Sequence, residues 1–366
     1  MSRYLINGRF GSQPTTGVQR VAWALLAALD AGPALPGEWW LASPPGVPWP
    51  AWRQLRLQQP APGPWRGHAW EQLVLGVAAR RARVINIAGA GPWLGGPQVS
   101  WLHDAAVFDH PGAYRPAFVH WYRALFRRRV RRGDLLITPS GFSRARLAWH
   151  LGVPEQRMAV LPHGTDHLRG VLPDPTALAR LGLQGRDYWL AVASANPTKN
   201  LDRLIQAHAR LPVAGRPWLV LAGASRPRVF APAGADAVAA DAMAADGLRH
   251  IGTPDDASLK ALMQGARALV LPSLVEGYGL PAVEAMHEGC PVVAARAGAL
   301  PEVCGDAAEY VDPLDVDDIA RGLLATCDGP RRAALQALGV QRVAGRGWAA
   351  TAQRFVELLQ AWERPA

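Results

Sequence analysis

At 366 residues, 49% hydrophobic and 19% charged, the chain has the size for two domains that each bury a core, and the composition of a globular protein. No apolar run reaches the ~18–20 residues of a membrane span. The three cysteines (Cys290, Cys304, Cys327) show no metal or redox spacing, and their odd number argues against a disulfide framework.

The net charge of +10 is unevenly spread: residues 1–167 carry 19 basic and 8 acidic side chains, residues 168–366 carry 20 and 21. A basic half implies an anionic neighbour, whether nucleic acid, a phospholipid surface or a phosphorylated acceptor. Eleven of the fifteen tryptophans precede residue 150, and tryptophan with arginine favours a bilayer interface.

In chain order, Met1-Ser-Arg-Tyr-Leu-Ile-Asn-Gly has no long apolar core of a leader and reads directly as a first strand, Tyr4–Asn7, so a soluble cytosolic protein is expected. Asn7-Gly8-Arg9 through Thr16-Gly17-Val18-Gln19-Arg20 is a glycine-containing loop before a helix Val18–Leu29, and Gly17 at the helix start can admit donor phosphate or acceptor. Pro33 to Pro64, dense in proline and tryptophan, reads either as an acceptor or membrane loop or as an irregular connection. Strands follow at Val84–Ala88, Val99–His103, Leu135–Thr138 and Met158–Leu161. Gly89-Ala90-Gly91-Pro92 after the first of these lacks the third glycine and acidic partner of a dinucleotide fingerprint. Trp101-Leu102-His103-Asp104 places an imidazole and a carboxylate at a strand's carboxyl edge. Phe118, Trp121, Tyr122 and Leu125 with Arg127, Arg128, Arg129, Arg131 and Arg132 make an amphipathic basic helix, either a solvated arginine face or a membrane surface.

Leu168 to Gly185 separates two strand series, so domains are expected at 1–170 (with 350–366) and 171–349. The second series is Tyr188–Ala193, Trp218–Ala222, Leu248–Ile251, Ala268–Leu271, Pro291–Ala295 and Glu309–Val311. Strand–helix alternation throughout marks a doubly wound α/β fold. After Ala193, Ser194-Ala-Asn-Pro-Thr-Lys199-Asn200 leads into a helix Leu201–Ala209, a phosphate-binding geometry. Lys199 is one of two lysines among 39 basic residues, which points to a need for a compact ammonium.

Past Leu271, Glu276-Gly277-Tyr278-Gly279-Leu280-Pro281-Ala-Val-Glu284 reads as a loop at a strand's carboxyl end, then a helix opened by Pro281. The amides around Tyr278, Gly279 and Leu280 form a helix N-terminus suited to phosphate. Carboxylates of Glu276 and Glu284 on either side require a polyhydroxylated ligand around that phosphate. Asp315-Val-Asp317-Asp318 looks metal-binding, yet more plainly starts the helix Asp318–Thr326. Trp348 to Trp362 is amphipathic at helical spacing.

Glu276-x7-Glu284, with Ala285-Met286-x-x-Gly289-x-Pro291-Val292-Val293 and Gly298-x-x-Pro301-Glu302-Val303, closely resembles the signature of retaining glycosyltransferase family 4, which has the GT-B fold. His103-Asp104, His110-Pro111, Trp121-Tyr122-Arg123, Pro139-Ser140-x-Phe142-Ser143-Arg144 and Pro162-His163-Gly164 resemble further family blocks, the last with histidine replacing asparagine and read as structural.

That resemblance implies two Rossmann-like doubly wound domains facing across a cleft, the first binding the acceptor and the second the sugar nucleotide, with a C-terminal helix crossing back to the first domain. It implies that Lys199 neutralises donor diphosphate, that Glu276 holds sugar hydroxyls and Glu284 the ribose diol, and that His103 positions the transferred sugar rather than acting as base. Many members carry an arginine where this chain has Ser194, which offers only a hydroxyl. Retaining, metal-independent transfer of a hexose or deoxyhexose, leaning mannosyl, is expected, with no cofactor. The donor is a nucleotide-diphosphate sugar. The acceptor is a polyprenyl-diphosphate-linked saccharide at the anionic inner face of the cytoplasmic membrane, for a surface polysaccharide; no nucleic acid partner is expected. The alternatives are a non-catalytic basic module binding membrane or nucleic acid, and a GT-B sugar-nucleotide epimerase.

Overall fold

The protein is described by a computed structural model, over residues 3–58, 64–80, 82–194, 196–223 and 247–363. It divides into two compact units, Met1–Phe108 with Val119–Gly164 and Gly347–Ala366, and Asp109–Phe118 with Thr165–Arg346.

The first unit is built on a seven-stranded, all-parallel sheet: β1 (Arg3–Asn7), β2 (Glu38–Ala42), β3 (Arg56–Gln58), β4 (Arg83–Asn86), β5 (Val99–Trp101), β6 (Leu135–Thr138) and β7 (Met158–Val160), in the order β3-β2-β1-β4-β5-β6-β7. The second holds a six-stranded parallel sheet: β8 (Tyr188–Ala193), β9 (Trp218–Gly223), β10 (Leu248–His250), β11 (Ala268–Leu271), β12 (Val292–Ala295) and β13 (Ala308–Val311), in the order β10-β9-β8-β11-β12-β13. Parallel strands covered by helices on both faces must be apolar on both, and β11 and β12 are buried at every residue. Trp189, Leu204, Leu219, Val270, Val293, Ile319 and Leu323 form the core of the second unit.

Strand order reverses between β1 and β4 in the first sheet and between β8 and β11 in the second. At such a reversal the connections leave on opposite faces, and a crevice opens beyond the carboxyl ends of the two central strands. Each unit therefore offers one such place.

Three expectations need correction. The segment from Pro33 to Pro64 is not loop throughout: it supplies β2, which pairs parallel to β1, and β3, which pairs parallel to β2. Proline density hid them, yet Trp39 and Leu41 are core residues, and the prolines fall outside both strands. The tryptophans of the first unit are mostly internal. Trp39, Trp70 and Trp101 are core, Trp23, Trp49 and Trp52 form a ring cluster with Phe10, and of the eleven before residue 150 Trp65 and Trp149 are exposed.

The arginines of the helix Pro116–Arg132 do not share one solvated face. Arg129 is 1% exposed and donates through Nη1 to Gln98 Oε1 (2.5 Å) and Asp134 Oδ2 (3.4 Å), and through Nη2 to the carbonyl of Ala90 (2.7 Å). Arg132 pairs with the same buried carboxylate, and Arg128 lies over the Trp93 ring, 5.0 Å from its centroid. A buried guanidinium needs several acceptors, and the loop after β4 supplies two of them, Ala90 and Gln98, with Asp134 before β6 the third. Arg127 and Arg131 alone of the five are exposed.

The final helix, Trp348–Glu363, belongs to the first unit, buries Phe355 and Leu359, and ties its end to β1 through Tyr4 Oη, which donates to Glu363 Oε2 (2.7 Å). Asp315 caps the helix Val316–Ala325 by accepting from the amides of Asp317 and Asp318. The buried Cys290 and Cys304 thiols are pushed up to about 12 by burial, so neither is a thiolate at neutral pH.

Candidate functional site

In the second unit the two loops that leave the strands beside the reversal carry the residues with chemistry. Lys199 lies in the loop after β8 and Glu276 in the loop after β11. Their side chains meet: Lys199 Nζ donates to Glu276 Oε1 at 2.6 Å, and Ser273 Oγ donates to the same oxygen at 3.0 Å. The loops are stitched together by their backbones, since Leu274 N donates to Thr198 O at 2.8 Å. Asn200, the residue after the lysine, takes a left-handed backbone (φ 59°), uncommon for a residue other than glycine. Its buried amide offsets that strain by donating to the carbonyls of Pro272 (2.9 Å) and Pro313 (2.7 Å), which fixes the direction in which Lys199 leaves the loop.

Glu276 is pinned from the other side as well. Ala299 N donates to its carbonyl at 2.9 Å, and Gly298 (φ 61°) lies so close that a β-carbon there would fall 2.6 Å from Glu276 N and 2.7 Å from its oxygen. Gly279 (φ 87°) ends the loop and caps the helix Leu280–His287, with Pro281 in its first turn. Leu280, Tyr278 and Glu284 are buried. Burial pushes the Tyr278 phenol up to about 12, with nearby Arg346 pulling the other way, so it stays protonated. Amides in the first turn of a helix have no earlier turn to donate to, and they make a positive pole at its end.

Glu284, one turn inside that helix, is 3% exposed and accepts from His167 Nε2 at 2.7 Å. His167 escaped the sequence reading. It lies 117 positions from its partner, and nothing local flags it beyond its place just before the expected domain boundary. Ser273 was missed in the same way, and Gly298 stands in the family-like block of the sequence without any role assigned to it. Lys260, the other lysine, serves the structure: its ammonium donates to Leu168 O at 3.0 Å and pairs with Glu288 at 3.4 Å. Ser194 is half-buried just past β8.

The remaining candidates lie in the first unit. Gly17 opens the helix Gly17–Ala31 at an exposed position, where Thr16 and Gln19 form a capping box. His103, half-buried past β5, donates from Nε2 to the carbonyl of Ile87 (2.7 Å), because a carbonyl can only accept. Burial holds its pKa below the usual imidazole range. The ring is therefore neutral, with Nδ1 as an acceptor edge, and it packs between Trp101 (6.2 Å) and His163 (5.6 Å).

A doubly wound unit with a lysine, a carboxylate and a helix N-terminus at its topological switch can hold an anion attached to hydroxyl-bearing groups. The family profile described as "Glycosyl transferases group 1" matches residues 177–336, and that described as "Glycosyltransferase Family 4" matches residues 16–169. The O-antigen chain mannosyltransferase B of Escherichia coli is 30% identical over 231 residues, covering 62% of this chain and 60% of that protein. A GDP-mannose-dependent alpha-(1-6)-phosphatidylinositol monomannoside mannosyltransferase of Mycolicibacterium smegmatis is 31% identical over 308 residues, 78% of this chain and 71% of that one. The chain spans 60% and 51% of the length of the first two curated relatives it matches. Among solved structures, the sucrose-phosphate synthase of Thermosynechococcus elongatus superposes with a TM-score of 0.76 at 19% identity over 99% of both chains. WaaG, a glycosyltransferase involved in lipopolysaccharide biosynthesis, gives 0.67 at 16% identity over 98% of this chain and 99% of its own. The fold is that of the GT-B glycosyltransferases. The chain belongs to the family 4, group 1 glycosyltransferases.

Proposed function

We propose that the protein transfers a mannosyl residue, with retention of configuration and without a metal, from a nucleoside diphosphate mannose to a lipid-linked saccharide in surface-polysaccharide assembly. The observation that carries this reading is the convergence of Lys199 and Glu276 from the two loops flanking the β8–β11 reversal, beside the Leu280–His287 helix N-terminus. An ammonium and the amides of a helix start supply positive charge to a departing diphosphate, the part a metal would otherwise take. The named activities of the relatives from E. coli and M. smegmatis support mannose, and the latter's name supports a guanine nucleotide.

In the reaction, Lys199 moves its ammonium from Glu276 towards the diphosphate, freeing Glu276 to accept from sugar hydroxyls. Glu284, aligned by His167, accepts from the ribose diol. His103 has Nδ1 as its accepting edge for a hydroxyl, since Nε2 is committed to Ile87. The bond from the anomeric carbon to the phosphate oxygen breaks as the acceptor oxygen bonds to the same face, and the acceptor proton passes to the leaving phosphate. No side-chain nucleophile is assigned.

Proximity of the reaction to an anionic membrane is part of the proposal and rests on the charge of the first half and on the exposed Arg127 and Arg131. Among the described residues no helix is long and apolar enough to cross a membrane.

The test is thermal stabilisation by a panel of GDP-, UDP- and dTDP-sugars, repeated on Glu284→Ala, followed by transfer to octyl α-mannoside with the product's anomeric configuration read by NMR and the rate measured in chelator. Selective stabilisation by GDP-mannose, lost in the variant, and an axial product formed at an unchanged rate in chelator are expected. Silence across the panel, together with vesicle binding that is salt-sensitive and indifferent to sugar nucleotides, would replace this reading with a basic binding module.

A further inference from the structure

The first unit repeats the construction of the donor site at its own reversal, with a different set of side chains. Asn7 and Asn86, the last residues of β1 and β4, join across the switch point, Asn7 Nδ2 donating to Asn86 Oδ1 at 3.1 Å. Beside them sits Glu71, 0% exposed, on a single π-helical turn (Glu71–Leu75) inserted between the short helices Gly67–Trp70 and Gly76–Ala78. A π turn is a rare helix geometry that frequently occurs at functional sites. Glu71 Oε1 accepts from Asn7 Nδ2 (2.6 Å) and Gly91 N (2.9 Å) and pairs with Arg9 Nε (3.3 Å), while Oε2 accepts from His68 Nδ1 (3.1 Å). Burial alone would raise this carboxyl, but the His68, Arg9 and Asn7 partners outweigh it and hold it at about 2. Glu71 is thus a permanent anion.

In the neutral imidazole the Glu71 carboxylate at Oε2 keeps the proton of His68 on Nδ1 and leaves Nε2 as the accepting outward edge of a ring that is 44% exposed. The rings of Trp121 and Tyr122 stand edge-on to it, at 6.5 and 6.4 Å between centroids. An imidazole acceptor of fixed tautomer beside two aromatic rings matches the mixed surface of a sugar, whose hydroxyls seek acceptors and whose C–H faces pack on rings.

We propose that His68, oriented by Glu71, is an acceptor-saccharide binding residue at the β1–β4 switch point, taking a hydrogen bond at Nε2 from a hydroxyl of a neutral sugar. This rests on the reading that the first unit receives the acceptor of a glycosyl transfer. His68 binds the hydroxyl; Glu71 is a positioning residue that sets the tautomer.

The experiment uses the full chain, labelled with 15N-histidine, and octyl α-mannoside as the acceptor probe, with the His68 signal assigned by its loss in His68→Ala. Saturating octyl α-mannoside is expected to move the Nε2 resonance of His68, and GDP alone to leave it in place. In kinetics, His68→Ala raises the acceptor KM by about tenfold, the usual worth of one hydrogen bond, with little change in kcat. It leaves stabilisation by GDP-mannose at the wild-type value. His68→Gln recovers part of the loss, because its amide nitrogen can donate to Glu71 while its oxygen accepts. A His68 resonance indifferent to octyl α-mannoside, or an unchanged acceptor KM in His68→Ala, overturns the proposal even when donor stabilisation and transfer are intact. If no sugar nucleotide binds, the donor reading fails separately, and the resonance still decides the fate of this site.

Discussion

Lys199 Nζ lies 2.6 Å from Glu276 Oε1, so the ammonium suited to a diphosphate is already held by a carboxylate. The two charges balance each other, and if a second anion draws the lysine away the Glu276 carboxylate keeps the Ser273 hydroxyl and needs further donors, which a ligand's hydroxyls can supply. Lys199→Ala is expected to lower kcat by ~10²–10³, the loss found on removing a donor to developing negative charge, with a smaller change in donor KM; steady-state kinetics with the best donor decides. Glu284 and His167 separate differently. Glu284→Ala should raise donor KM by about tenfold or more with kcat little changed. His167→Ala, acting through Glu284, should give a smaller rise that His167→Gln restores; a fall in kcat alone would place His167 elsewhere in the mechanism. Lys199 and Glu276 are legible in the sequence because each follows a short apolar run in a strand–loop–helix pattern. His167 is not, since its meaning comes from a partner 117 positions away.

At the scale of elements, the loops of the proposed donor site are held by backbone as much as by side chains. Gly298 is in the left-handed region and packs on the peptide of Glu276, so Gly298→Ala cannot be absorbed by a rotamer change. Its expected cost is about 1–3 kcal/mol, seen as a lowered Tm together with weaker stabilisation by the donor, because the displaced backbone is that of Glu276. The π turn makes the corresponding statement for the first unit. Glu71 ionises at about 2 in the folded chain against 4.5 ordinarily, so its pairing stabilises the fold fully above pH 4.5 and is lost as pH falls through about 2. Glu71→Gln is expected to destabilise by about 3–5 kcal/mol at neutral pH, and the gap from wild type should close as urea melts are taken down towards pH 2. Strands such as Leu135–Thr138 and Ala268–Leu271 declare themselves by unbroken apolar runs. β2 and β3 do not, being short, flanked by proline and paired only through β1 and each other.

Across the whole molecule, charge counted along the chain overstates the basic surface. Of the five arginines near residue 130, one is in the core, two are drawn to Trp93 and Asp134, and Arg127 and Arg131 face solvent. Arg129→Ala empties a buried position and takes the guanidinium donor from the carbonyl of Ala90, while Asp134 keeps Arg132, and it is expected to cost about 1–3 kcal/mol, read as a fall in Tm. Arg127→Glu with Arg131→Glu should leave Tm unchanged and weaken binding to phosphatidylserine vesicles in a salt-dependent way; equal binding by the double variant would remove these residues from any membrane surface. The amino-acid sequence by itself determined the alternation of buried strands and helices, hence two doubly wound sheets, and it marked the Lys199 and Glu276–Glu284 loops. Those features depend on residues within about one turn or one loop of each other. Only the tertiary structure decided which charges are buried, which tryptophans are core, and that Glu71, His68 and Asn7 converge at the β1–β4 reversal. Their partners lie up to tens of residues apart, and burial, which sets the energy of a charge, is a property of the packed fold rather than of any segment.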